Sequence, residues 1–181
     1  NMGKKEIYTK ANKLVCQTGT RKPEAIAREA GIKIYEEPAF NKLLGMYTYR
    51  WKHRMIFLNP QMEDAVRQMV IAHELGHDAL HRELAKEGLK EFSLFHIEDQ
   101  TEYEANAFAA HILLEDDKII EIANAEYDAV QASRILDVDI NLLMIKLKEM
   151  NQMGFHFRVP FETDRKFLGK IDGMTNQCFH Q

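Results

Sequence analysis

"VIAHELGHDALH", residues 70–81, sets three histidines four residues apart and places a glutamate directly after the first. Read at 100° per residue, Met62, Val66, Met69, His73, His77, Leu80 and Leu84 fall on one narrow helical stripe. His73 and His77 therefore sit where core residues belong, about 6 Å apart along the axis. Buried imidazoles need partners, and a shared metal ion satisfies both at once. Zinc accepts neutral imidazole nitrogen, and the i, i+4 spacing lets both rings reach one ion. Glu74 lies beside the pair, from where it can reach water activated by that ion without being a ligand itself. This is the mechanical logic of His-Glu-x-x-His. The plainer alternative is an amphipathic helix that happens to be rich in histidine, and the placement of both histidines on the core stripe weighs against it.

Outward from this helix, which spans roughly 61–84, the chain organises itself by period and punctuation. Residues 6–17 and 23–30 read as short helices, with Pro23 suited to a helix start and Gly31 to a stop. "IKIYEE" (32–37) reads as a strand. "LLGMYTYR" and "RMIFLN" flank "WKH" and are rich in β-branched and aromatic residues, which predicts a hairpin. That hairpin could offer an edge to an extended peptide. Its basic aromatic tip (Arg50, Trp51, Lys52, His53, Arg54) suits an acidic partner. A polar loop follows the histidine helix, then a second helix from about 100 to 114. "EDDKIIEIA", "YDAVQASRIL" and "INLLMIKLKEM" carry helical periodicity beyond it. The expected fold is α+β: one mainly helical domain over residues 1–158, with a small antiparallel sheet or hairpin packed on the histidine helix. Residues 159–181 form a tail without a readable pattern. Gly76, unfavourable by about 1 kcal/mol against Ala inside a helix, marks a close approach by another element.

A catalytic zinc typically takes three protein ligands and leaves a fourth place open. The helix "TEYEANAFAAHILL" offers Glu102, Glu104 and His111. Glu104 shares a helical face with Phe108 and His111, whereas Glu102 points to the other side with Ala109 and Leu113. Either acid could instead serve a capping box, Asp99 with Glu102 or Thr101 with Glu104. Spacing alone puts Glu104 slightly ahead. His81, at the edge of the stripe, suits a ligand, a supporting group or a donor to the transition state. It also suits the negative end of the helix dipole. The metzincin pattern is excluded, because Leu80 and Glu83 stand where it requires Gly and His.

"HELGHDALH", followed about 25 residues later by "EYEANAFAAHILL", resembles the ImmA/IrrE family of zinc metallopeptidases. "AIAREAGIKIYEE" and "LLMIKLKEMNQMGF" add weaker likeness, so the resemblance spans roughly residues 5–158. It implies one zinc held by His73, His77 and Glu104, with Glu74 as the general base and a helix-turn-helix repressor of a mobile element or prophage as the substrate. Candidates for steadying the oxyanion are His81, Tyr103 and His111. One departure is "LLEDD", where members of the family often run into Leu-Met-Pro.

Composition bounds these expectations. The 181 residues are 45 % hydrophobic, enough for a core. A formal charge of -4 and a pI of about 6.1 argue against broad attraction to nucleic acid or anionic lipid. Cys16 and Cys178 lie far apart with no CxxC pair, which suits a reduced, cytoplasmic protein. The first ten residues lack the apolar core of a secretory leader, and no run is long enough to span a membrane. Two rival functions follow from the same residues. "AVQASRILDVDINLLMIKLKEM" has the outline of a DNA-binding helix pair, though Lys146 and Lys148 against Glu149 make a poor phosphate track. Alternatively, a zinc-dependent module could sequester a repressor without cutting it, a role that needs no base at position 74.

Overall fold

A computed structural model describes residues 3, 5–86, 88–91 and 99–159. Its elements run α1 (Glu6–Thr18), α2 (Pro23–Glu29), β1 (Lys33–Glu36), β2 (Gly45–Arg50), β3 (His53–Leu58), α3 (Asp64–Leu80), β4 (Leu89–Glu91), α4 (Gln100–Leu113), α5 (Asp116–Asn124), α6 (Ala129–Leu136) and α7 (Ile140–Gln152). The α+β expectation holds, and α1 to α4, β1, β2 and β3 fall within a few residues of their predicted limits. The tail from residue 160 onward, with Cys178, lies outside the described residues.

α3 is the centre of the molecule. The sheet and α2 pack on one side of it and α4 on the other, with α1 and α7 behind α4. Every residue from Met69 to Asp78 is buried, so α3 is covered all round rather than along one stripe. Val70, Ile71 and Leu75 meet Tyr47, Ile56 and Leu58 of the sheet within one continuous hydrophobic cluster. Burying such side chains contributes about 1.5–3 kcal/mol each, which explains why a helix carrying several polar residues still takes the central place.

The sheet is mixed, in the order β1-β3-β2-β4. β2 and β3 form the predicted antiparallel hairpin, β1 joins β3 in parallel, and β4 joins β2 antiparallel. This corrects two expectations. The sheet is not wholly antiparallel, and the hairpin offers no open edge along Gly45–Tyr47, because β4 already pairs there. The turn is Trp51-Lys52, both with positive φ (49° and 64°), and Trp51 is exposed. Positive φ at both central residues gives the hand that a two-residue hairpin needs.

Two buried polar clusters fix the helices around the site. Asp78 accepts hydrogen bonds from Tyr47 Oη (2.7 Å) and Arg54 Nε (2.7 Å), pinning α3 to the hairpin one residue after His77. Burial, and then the bond to Asp78, pushes the Tyr47 phenol well above its usual range. On the far face of α4, Lys146 Nζ lies 2.6 Å from Asp116 Oδ1 and 3.1 Å from His111 Nδ1, tying α4, α5 and α7 together. Lys146 is therefore interior, and α7 is buried along most of its length, so the α6–α7 pair presents no recognition helix to a groove.

Candidate metal centre

Three side chains that could hold a metal ion converge between α3 and α4. His73 Nε2 and His77 Nε2 are 3.0 Å apart, and the Glu102 carboxylate stands 3.3 Å from the first and 3.5 Å from the second. Among the described residues these form the one group of three or more acidic, cysteine or histidine side chains with metal-ligand spacing. Both histidines are about 1 % exposed. Tetrahedral zinc with bonds near 2.0–2.1 Å separates its ligands by roughly 3.3 Å. The three observed separations bracket that value, so the donor set and its spacing fit zinc.

The ring orientation supports the same fit. His73 Nδ1 lies 2.7 Å from Asn106 Oδ1, which can only accept, so His73 carries its proton on Nδ1 and turns a bare Nε2 toward His77 and Glu102. Holding a ligand histidine through its other nitrogen is the usual support of a metal site.

Two glycines make room for this arrangement. A Cβ on Gly76 would lie 2.8 Å from both Cα and the carbonyl oxygen of Ala105, so α3 and α4 touch backbone to backbone at this point. That is the close approach expected from a glycine in mid-helix. A Cβ on Gly45 of β2 would lie 2.6 Å from Val70 Cγ1 and 2.9 Å from Glu74 Oε1. Glu74 is thereby held under β2, fully buried, beside the pair of histidines.

Glu104, the expected third ligand, stands outside the group of His73, His77 and Glu102. Glu104 does not join His73 and His77; it accepts hydrogen bonds from His81 Nε2 (3.1 Å) and Gln100 Nε2 (2.9 Å). The reason is angular: two residues along a helix rotate the side chain by about 200°, and the face that meets α3 is the Glu102 face. The cap at this helix start is Asp99, whose Oδ1 accepts from Glu102 N (2.9 Å), and that leaves the Glu102 carboxylate available to the histidines. Of the candidate oxyanion donors, Tyr103 bonds to Glu149 on α7, and His111 packs against Tyr8 and Lys146. Both face away from the histidine pair. His81 lies beneath it, its Nδ1 3.1 Å from His77 Nδ1. Asn106, which the expected site does not include, has one signal in the sequence: its place one turn after Glu102.

The buried histidines also carry a pH signature. Burial first, and then the neighbouring His73 and His81, holds His77 well below the ordinary value of 6.5. Burial likewise lowers His111; Lys146 adds to this and Glu149 opposes it. Folded protein thus binds fewer protons than the unfolded chain below about pH 6.5. The stability these neutral rings contribute is present above that pH and is lost as the pH falls toward their depressed folded values. Metal-free protein should therefore melt at progressively lower temperature from about pH 7 to about pH 5. That window lies above the carboxylate range, where Glu104 and Asp116, both lowered, would act. A melting temperature that stays level over this interval would contradict the assignment.

A family model described as an IrrE N-terminal-like domain, of the M78 peptidases, matches residues 27–168. The chain is also similar to "uncharacterized immunity region protein 2" of Bacillus phage phi105, 31 % identical over 121 residues, covering 67 % of this chain and 76 % of that protein.

Proposed function

The chain belongs to the ImmA/IrrE family of M78 peptidases, and from that premise we propose that it is a cytoplasmic zinc endopeptidase that cuts a helix-turn-helix repressor. The observation that carries the reading is the convergence of His73 Nε2, His77 Nε2 and the Glu102 carboxylate at separations of 3.0–3.5 Å, with Glu74 buried alongside. In this reading Glu102, rather than the Glu104 implied by motif position, completes the ligand set. A zinc ion there supplies Lewis acidity, lowering the pKa of water toward neutrality and polarising the scissile carbonyl.

The chain's own residues do the rest. Asn106 keeps the His73 proton on Nδ1, so that Nε2 remains a lone-pair donor. The Glu74 carboxylate takes the proton of the attacking water and delivers it to the departing amide nitrogen. Gly45 leaves the space in which that carboxylate sits. Among the described residues no helix is long and apolar enough to cross a membrane, in keeping with a protein substrate met in solution. A repressor as that substrate is what the family resemblance implies, and a phage immunity-region relative is in keeping with it.

Elemental analysis of purified protein tests the centre. About one zinc per chain is expected in wild type, lost in Glu102→Ala and retained, more weakly held, in Glu104→Ala. Incubation with a purified repressor encoded beside this protein tests the activity. Two fragments support cleavage, whereas a stable uncut complex would replace it with sequestration.

A further inference from the structure

We propose that His81 and Glu104 are positioning residues, forming a relay in which the Glu104 carboxylate fixes, through His81, which nitrogen of His77 is free to bind metal. The inference rests on the metal centre described above and extends it by one layer. His81 is the C-cap of α3 and only 6 % exposed; its two ring nitrogens reach in opposite directions. Nε2 is 3.1 Å from Glu104 Oε2, and Nδ1 is 3.1 Å from His77 Nδ1.

The protons along this line are assigned from its outer end. A carboxylate can only accept, so His81 must carry hydrogen on Nε2. With the ring's one hydrogen on Nε2, its Nδ1 is an acceptor, and the contact with His77 is made by His77 Nδ1 donating. A neutral His77 with hydrogen on Nδ1 has its lone pair on Nε2, the nitrogen that faces His73 and Glu102. Reversing any one bond would put a hydrogen on His77 Nε2 and close the site to a cation. Gln100 Nε2, donating to Glu104 Oε1 at 2.9 Å, holds the outer carboxylate in place. The two ligand histidines are thus supported differently: His73 directly by Asn106, and His77 by a histidine and then a carboxylate. Such outer partners typically account for about 10–100-fold in metal affinity.

The test is the zinc dissociation constant of the full chain, by competition with a chelator, in wild type, His81→Leu, His81→Asn, Glu104→Ala and Glu102→Ala. His81→Leu and Glu104→Ala should weaken zinc by about 10–100-fold. His81→Asn should stay within a few-fold of wild type, because its Oδ1 stands where Nδ1 stood and still accepts from His77. Glu102→Ala should lose zinc altogether. Rescue by Asn separates hydrogen-bond acceptance from mere filling of space; His81→Asn binding as poorly as His81→Leu overturns the relay. So does His81→Leu or Glu104→Ala binding as tightly as wild type, and in that case the centre itself stands. If Glu104→Ala abolishes binding while Glu102→Ala keeps it, Glu104 is a ligand and the relay is wrong. A wild type that takes up no zinc removes the centre and the relay together.

Discussion

On the proposed zinc-peptidase reading, replacing Glu74 with Gln is expected to slow cleavage of the repressor by about 10²–10⁴-fold, the usual contribution of a positioned general base, while one zinc per chain stays bound. The two side chains have the same shape, so the substitution keeps the packing under β2, where a Cβ on Gly45 would come within 2.9 Å of Glu74 Oε1. What changes is proton affinity: an amide oxygen cannot hold the proton taken from water and pass it to the amine. The three candidate ligand groups, His73, His77 and Glu102, are untouched. The measurement is the fragment yield over time beside the zinc content of the same sample. A Glu74→Gln protein that cuts as fast as wild type with zinc in place would remove Glu74 from the mechanism. One that loses zinc would make Glu74 part of the ligand sphere instead.

Much of this centre is legible in the sequence, and the illegible part has a physical cause. Helical period placed His73 and His77 in the interior, and Gly76 announced a neighbouring element. What periodicity on α3 cannot say is which face of α4 arrives there. Glu102 and Glu104 are both acids near the start of that helix, and both fit a capping pattern. The distinction lies in small side chains. Ala105, Asn106 and Ala109 share a face with Glu102, and only a face of small residues can lie against a glycine. β4 falls within the expected polar loop because Leu89–Glu91 is too short to carry alternation; its pairing with Gly45–Tyr47 of β2 makes it a strand. Nothing local marks Lys146 as interior, since its partners Asp116 and His111 lie far along the chain. Isolated patterns report burial well and partners poorly, and a metal centre is a matter of partners.

The close approach at Gly76 makes the second large prediction, in which fold and site fail together. On an isolated helix Gly76→Ala would be stabilising by about 1 kcal/mol. Here the added Cβ would meet Ala105 Cα and O at 2.8 Å, and both are backbone atoms of α4 that no rotamer change can move aside. Overpacking of this kind destabilises by about 1–3 kcal/mol, so the clash should outweigh the gain in propensity. For a chain of this size each kcal/mol lost lowers the melting temperature by about 2–4 °C. Because Glu102 lies one turn from Ala105 on the same face, pushing α4 outward also draws its carboxylate away from the two histidines. Zinc affinity should then fall about tenfold or more, comparable to the loss of an outer partner. Ala105→Gly in the same chain should not rescue either property, since the obstructing atoms are backbone rather than the Ala105 methyl. Thermal unfolding and chelator competition read the two effects separately. A Gly76→Ala protein that melts higher than wild type and keeps its zinc would mean that α3 and α4 do not meet at this distance, and the separations that make His73, His77 and Glu102 a ligand set would fall with that contact.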